Sequence, residues 1–110
     1  MANPHLILHG IPVKSFDLAV AAASIGTVFA LPFRAGSLVW QTYFLTNPAP
    51  VQIDLEFSLD NVHWDAVDST TVVVGEVRTF ATVGGGFVRA RIVSITGGSG
   101  VTVTILCQPI

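Results

Sequence analysis

Five groups of residues have types and spacings that could do chemistry. Asp60, Asp65 and Asp68, close to Asn61, put oxygen ligands on and just after a turn, which is the raw material of a calcium site. Their spacing matches no EF-hand loop and lacks its closing glutamate, and turn-forming acids account for them equally well. Cys107 beside a histidine would be a nucleophile, but it sits in a terminal apolar run, where a small buried thiol is the ordinary outcome. His5 and His9 are four apart, a metal spacing only on a helix, and Pro4 opposes a helix there. Trp40, Tyr43 and Trp64 would make a sugar-stacking platform if they shared one exposed face, although core packing is their commoner use. Gly97-Gly98-Ser99-Gly100 has the composition of a phosphate loop but no following lysine or helix. The residues thus call for no catalytic site, no metal and no cofactor, and the chain is expected not to be an enzyme.

The elements that must hold these residues are strands. In Val51 to Leu59 the apolar residues Val51, Ile53, Leu55, Phe57 and Leu59 alternate with Gln52, Asp54, Glu56 and Ser58, the period of two of a half-buried strand. Asp60-Asn61 then reverses the chain, and Trp64 is expected to return to the core as an anchor. Further strands are predicted at 15–23, where helix and strand compete, at 25–31 up to Pro32, at 38–46 up to Asn47-Pro48-Ala49-Pro50, at 64–67, at 70–74 and at 77–83. Arg34-Ala35-Gly36-Ser37 reads as a turn. Phe87 to Thr96 and Val101 to Leu106 alternate on either side of Gly97-Gly98-Ser99-Gly100 and are predicted to form a terminal hairpin.

Short strands about every ten residues, with Gly, Pro and Asn between them, define an all-β fold: an antiparallel two-sheet sandwich, jelly-roll or Ig-like. The 110 residues suit one domain, 1–110, with 1–13 as an extended arm in which Pro4, Gly10 and Pro12 leave room for a short edge strand at Leu6-Ile7-Leu8. Trp40, Phe44, Phe57, Trp64 and Phe87 are the candidate large core side chains. Asp54 and Glu56 are expected to pair with Arg89 and Arg91 if their strands are neighbours, as exposed pairs contributing about 0–1 kcal/mol.

Composition narrows the partners. Only 11% of residues are charged and 51% are hydrophobic, so much of the surface is neutral or covered by neighbours. A net charge of -2 offers no basic patch for nucleic acid. The apolar stretch from Leu18 to Phe33 is interrupted by Ser24, Gly26, Thr27 and Pro32, is too short for a spanning helix, and has the wrong flanks for a signal peptide. Neither a membrane nor nucleic acid is expected as a partner, and a single cysteine permits no intrachain disulfide.

Two segments carry a family resemblance. Ser58 to Asp68, SLDNVHWDAVD, resembles the S-x-D-x-x-x-W turn of small β-sandwich virion proteins of tailed bacteriophages. Phe87 to Ile105, FVRARIVSITGGSGVTVTI, is similar to their aromatic-V-R-x-R-x-x-S-x-T-G-G pattern. Together they span roughly the C-terminal half, and discoidin-like carbohydrate-binding sandwiches share parts of the pattern. The chain departs by carrying Asn61 where a glycine is common after the aspartate.

That resemblance implies no catalytic residues. It implies a virion structural protein assembled in the host cytoplasm: a capsid decoration or cement subunit, or else a tail, baseplate or head-to-tail part. The implied partners are other copies of the chain, as a homo-oligomer with a trimer among the allowed stoichiometries, and the major capsid protein or other virion proteins. A carbohydrate-binding module, with a glycan as ligand, is the alternative from another class.

Overall fold

The computed structural model describes residues 10–32, 35–81 and 85–109. Most of the expected arm, including Leu6-Ile7-Leu8, His5 and His9, lies outside the described residues. Nine strands follow in order: β1 (Val13–Ala19), β2 (Ser24–Ile25), β3 (Phe29–Ala30), β4 (Ala35–Thr46), β5 (Val51–Ser58), β6 (Asp65–Thr70), β7 (Val77–Ala81), β8 (Phe87–Ile95) and β9 (Ser99–Pro109).

All neighbouring strands are antiparallel. One sheet has the order β1-β9-β4-β7; the other has β2-β8-β5-β6, with β3 pairing β8 beside β2. Apart from the β5–β6 hairpin and the broken edge β2–β3, every connection crosses from one sheet to the other, which is the winding of a jelly roll. The two-sheet sandwich expected from the strand spacing is therefore present, in its jelly-roll form.

Alternation along the strands fills the space between the sheets. Ile53 and Leu55 of β5, Val88, Ala90 and Ile92 of β8, and Val101, Val103, Ile105 and Cys107 of β9 are fully buried there with Leu38, Trp40 and Phe44 of β4. Phe16 and Phe29 complete the large side chains of this core. Phe57 packs against it half-buried, whereas Trp64 and Phe87 are not among its members.

Several expected elements take another form. The strand predicted at 25–31 is split into β2 and β3, and Ser15 of β1 explains the break. Its Oγ accepts the Ala90 N–H (2.9 Å) and donates to the Thr27 carbonyl (2.9 Å), so a side chain occupies the place of a strand partner along β8. The predicted turn at 34–37 is absorbed from Ala35 onward into β4, with an irregular register between Ala35 and Ser37. Residues 71–74 form no strand; the Gly75 N–H bonds the Val72 carbonyl and turns the chain instead.

The predicted terminal hairpin does not form, because β8 and β9 lie in different sheets. Residues 96–98 cross between the sheets beside the other crossover at 47–50. The Ala49 N–H bonds Thr96 O (2.9 Å) and the Thr96 N–H bonds Pro50 O (3.0 Å). Gly98 is required by that contact: at φ +78°, a Cβ there would stand 2.8 Å from Thr46 O and 2.9 Å from Pro48 Cβ. Gly97 has a similar φ, +69°, but open space around it. Gly98→Ala is accordingly expected to cost about 2–4 kcal/mol and Gly97→Ala about 1 kcal/mol, as measured by urea denaturation. Equal losses would mean that backbone conformation alone selects glycine at both positions.

Candidate functional site

The two sheets turn unlike faces outward. On β5 and β8 the residues that alternate with the core side chains are Asp54, Glu56, Arg89 and Arg91, and the register sets Asp54 opposite Arg91 and Glu56 opposite Arg89. Arg89 Nε donates to Glu56 Oε1 at 2.7 Å, and Arg91 Nη1 approaches Glu56 Oε2 at 3.6 Å. Asp54 looks the other way, accepting from Ser69 Oγ of β6 (2.7 Å) and from Gln52 Nε2 (3.2 Å).

The expected exposed pairs are thus replaced by a covered one. The Glu56 and Arg89 side chains are only 6% and 14% exposed. Trp64 lies over the Arg89 guanidinium, 4.0 Å from ring centroid to charge centre. Trp64 therefore roofs the polar face and does not anchor the core.

A second polar cluster joins the sheets along one open side. Trp40 Nε1 donates to Asp68 Oδ2 (2.8 Å), and Arg78 reaches Asp68 through Nε (2.9 Å) and Nη2 (2.9 Å) and Glu76 through Nη1 (3.2 Å). Thr70 Oγ1 donates to Glu76 Oε1. Burial acts to raise the Asp68 pKa, but hydrogen bonds from Arg78, Trp40 and the Ser69 N–H, with the Arg78 charge, outweigh it and hold the carboxyl below its usual range. The same contacts, led by the Asp68 hydrogen bond, raise Arg78.

The β5–β6 turn lines an open recess of about 280 Å³ bounded by Phe57, Ser58, Leu59, Asp60, His63 and Asp65. Asp60 Oδ1 accepts the Val62 and His63 N–H groups, each at 2.8 Å, and Oδ2 meets His63 Nδ1 at 2.6 Å. Ser58 Oγ accepts the Asn61 N–H (2.9 Å). Asn61 has φ +62°, a conformation open to asparagine and glycine alike, which accounts for asparagine where the resembled turn carries glycine.

The calcium reading is not supported by this geometry. Asp60 is committed to its own turn and Asp68 to Trp40 and Arg78. Among the described residues no group of three or more His, Cys, Asp or Glu is placed to hold a metal. The His63 N–H bond and the backbone donors press the Asp60 pKa down, and Asp60 in turn raises His63. His63 is therefore expected to titrate above ordinary histidine and to fall back in Asp60→Asn, as followed by NMR of the imidazole. An unchanged His63 titration in that variant would dissolve the pair.

The three aromatics of the sugar platform are dispersed. Trp40 points into the core, Tyr43 projects from the outer face of β4, and Trp64 sits on the opposite outer face. Cys107 is fully buried, and burial pushes its thiol up, away from nucleophilic thiolate. Gly97-Gly98-Ser99-Gly100 serves a crossover and the start of β9.

The outer face of β9, β4 and β7 differs in kind. Opposite the buried Val101, Val103 and Ile105 stand Gly100, Thr102, Thr104 and Leu106, and β4 adds Val39, Gln41, Tyr43 and Leu45. Among the described residues no charged side chain projects from this face of the three strands. At its β1 edge Lys14 and Asp17 pair with each other at 3.6 Å. Pro12, Val39, Gln41, Val77, Thr104 and Leu106 line a furrow of about 180 Å³. No single strand's pattern announces this face, which exists only where β9, β4 and β7 lie side by side.

Fold and surface define a jelly-roll sandwich in which one outer face carries paired charges and the other is uncharged over β9, β4 and β7, with Lys14 and Asp17 at its β1 edge. No family model matches the chain, and no curated protein matches it. Among solved structures it is similar to the SPBc2 prophage-derived protein YomS, with TM-score 0.59 and 18% identity over 89% of this chain and 96% of that one. A protein of Bacillus endospore appendages, described as a novel family of disulfide-linked pili, gives TM-score 0.50 and 18% identity, covering 91% and 82%. The Yersinia pseudotuberculosis-derived mitogen gives 0.50 and 8%, covering 89% and 83%. At these identities the likeness is one of fold.

Proposed function

We propose that the chain is a non-enzymatic structural protein of a phage virion, a capsid decoration or cement subunit that binds the shell and other copies of itself. The observation that carries this reading is the uncharged outer face of β9, β4 and β7, with Tyr43 and Leu45 exposed on a sheet whose opposite side already packs a full core. Such a face suits association, and symmetric repetition multiplies modest contacts into stable coating. The turn and strand patterns shared with tailed-phage sandwich proteins, and a fold held in common with a prophage-derived protein, support the same reading. The polar clusters favour structure over catalysis, since Glu56, Asp68 and Arg89 are each consumed by partners within the fold.

The test is composition of the particle. Mass spectrometry of purified virions from the phage encoding the chain should find it in many copies, and labelled particles in the electron microscope should carry it over the shell. Labelling confined to the tail or connector would replace the decoration role by the tail or head-to-tail one. Absence from purified particles would overturn the virion reading.

A further inference from the structure

We infer that the free edge of β7 is where a second copy of this chain adds its own β7, antiparallel about a two-fold axis at Thr79, so that the β1-β9-β4-β7 sheets of two copies join into one. The inference rests on the structural role proposed above and names the element through which copies associate.

The backbone of β7 shows what can pair with it. β7 bonds β4 on one side and no described strand on the other. The Glu76 carbonyl accepts the Thr42 N–H (3.0 Å) and the Glu76 N–H donates to Thr42 Oγ1 (3.1 Å), so Glu76 turns its backbone groups toward β4. Peptide groups alternate along a strand, so those of Arg78 and Phe80 also face β4, while those of Val77, Thr79 and Ala81 point away from it. Such a row of outward donors and acceptors is matched by another strand.

Among the described edges of the two sheets, β7 is the one left open. β1 breaks register after Lys14 and again after Phe16, carries Leu18 at φ +49°, and gives its Ser15 carbonyl to the Thr27 N–H (2.8 Å). β2 and β3 are fragments of two residues each. β6 shifts register between the partners of Leu55 and Glu56, and it exposes Asp65, whose charge would meet itself in a second copy. Bulges, breaks and charges of these kinds protect a sheet edge from pairing. In β7, by contrast, Val77 to Ala81 pair with Gln41 to Ser37 without a shift.

The residues of β7 also suit self-pairing. With Thr79 facing Thr79 of the second copy, Val77 faces Ala81, and each facing pair exchanges both of its N–H···O bonds. Val77, 58% exposed, and Thr79 are uncharged, so no like charges meet on the outer side. An inward charge ordinarily guards an edge strand, because an added strand would bury it unpaired. Arg78 is such a charge, but Asp68 and Glu76 already neutralise it at 2.9 and 3.2 Å. In this register it faces Phe80 of the second copy, whose ring can lie on the guanidinium. A five-residue edge makes a weak contact, with a dissociation constant of about 10 µM–1 mM, which repetition over a particle multiplies.

Sedimentation equilibrium of the full chain up to about 1 mM, with NMR of the backbone amides, tests the pairing. The wild type should dimerise. Its Val77 and Thr79 amides should gain protection from exchange as concentration rises, while those of Arg78 and Phe80, already bonded to β4, should not. Thr79→Pro removes an outward N–H that β4 does not use, a change that edge strands tolerate, and should raise the dissociation constant at least about tenfold. Thr79→Asp and Thr79→Lys should each do the same alone, because like charges then face each other across the axis. An equimolar mixture of the two should dimerise within about threefold of wild type, which also shows that both are folded. Leu18→Asp, exposed at the β1 edge, should leave association unchanged.

A wild type that stays monomeric, dimers indifferent to all three Thr79 variants, or a mixture that fails to pair would overturn the β7 edge as the meeting place of two copies. So would a monomer whose Thr79→Pro variant is lost from particles, since the edge would then receive a strand of another virion protein. Thr79-dependent dimers of a protein absent from virions would uphold the edge and defeat the virion reading. A virion protein whose self-association ignores Thr79 would do the reverse.

Discussion

Replacing Glu56 by alanine is expected to remove about 3–5 kcal/mol of stability, lowering the melting temperature by about 12–40 °C at the 4–8 °C per kcal/mol typical of a small domain. The size follows from what remains behind. Arg89 keeps its charge, is only 14% exposed and lies under Trp64, so without the carboxylate at 2.7 Å its guanidinium is left covered and unpaired. Arg91, half exposed and 3.6 Å from the same carboxylate, contributes less, and Arg91→Ala should cost under about 1 kcal/mol. Replacing both charged partners, Glu56→Leu with Arg89→Met, should recover most of the loss, because neither side chain then leaves an orphan charge. Thermal denaturation followed by circular dichroism reads all three. A loss below about 1 kcal/mol in Glu56→Ala would place the pair with ordinary solvent-exposed ion pairs.

The same residues show how far the sequence could be read. Val51 to Ser58 announces its strand and its buried face because alternation is a local property, and β5 carries that pattern into the centre of its sheet. It also predicts which side of β8 faces Glu56, since Arg89 and Arg91 repeat the period. It does not predict that the polar side is covered, because Trp64 reaches that side only through the turn that Asp60 and Ser58 build. An aromatic beside a turn suits a roof and a core equally, and here its place is over the Arg89 guanidinium.

Connections were the least legible feature for a related reason. Gly97-Gly98-Ser99-Gly100 has hairpin composition, yet its choice of partner is fixed by residues far away: Thr46 at the end of β4, and Pro48 and Ala49 on the other crossover. Ser15 likewise breaks one predicted strand into β2 and β3 from a different sheet. The uncharged face was hidden in plain alternation. Thr102 and Thr104 look like the solvent side of any strand until β4 sets Tyr43 and Gln41 beside them. Low overall charge forecast a largely neutral surface; topology gathers the uncharged side chains on the outer face of β9, β4 and β7.

Asp68 provides the second large effect, and pH separates its parts. β6 and β7 are the edges of different sheets on one side of the sandwich, so the Trp40–Asp68–Arg78 contacts close an opening that backbone pairing leaves. Asp68→Ala strands the indole N–H of the nearly fully buried Trp40 and leaves the Arg78 guanidinium with Glu76 alone, at a cost of about 3 kcal/mol. Asp68→Asn retains an acceptor for Trp40 and loses the charge, at about 1–2 kcal/mol. The folded-state pKa of Asp68 is depressed, so its ionic contribution is fully present above the unfolded carboxyl value of about 4 and disappears as pH falls through the folded value. Urea denaturation from neutral pH down into the acid range should therefore show the wild type losing its advantage over Asp68→Asn below about pH 4. Asp60, also depressed but solvent-exposed, adds little to that loss because water screens its contacts. Parallel stability curves for wild type and Asp68→Asn across this range would show that the side of the sandwich is closed by packing around Trp40, with the Asp68 charge contributing nothing.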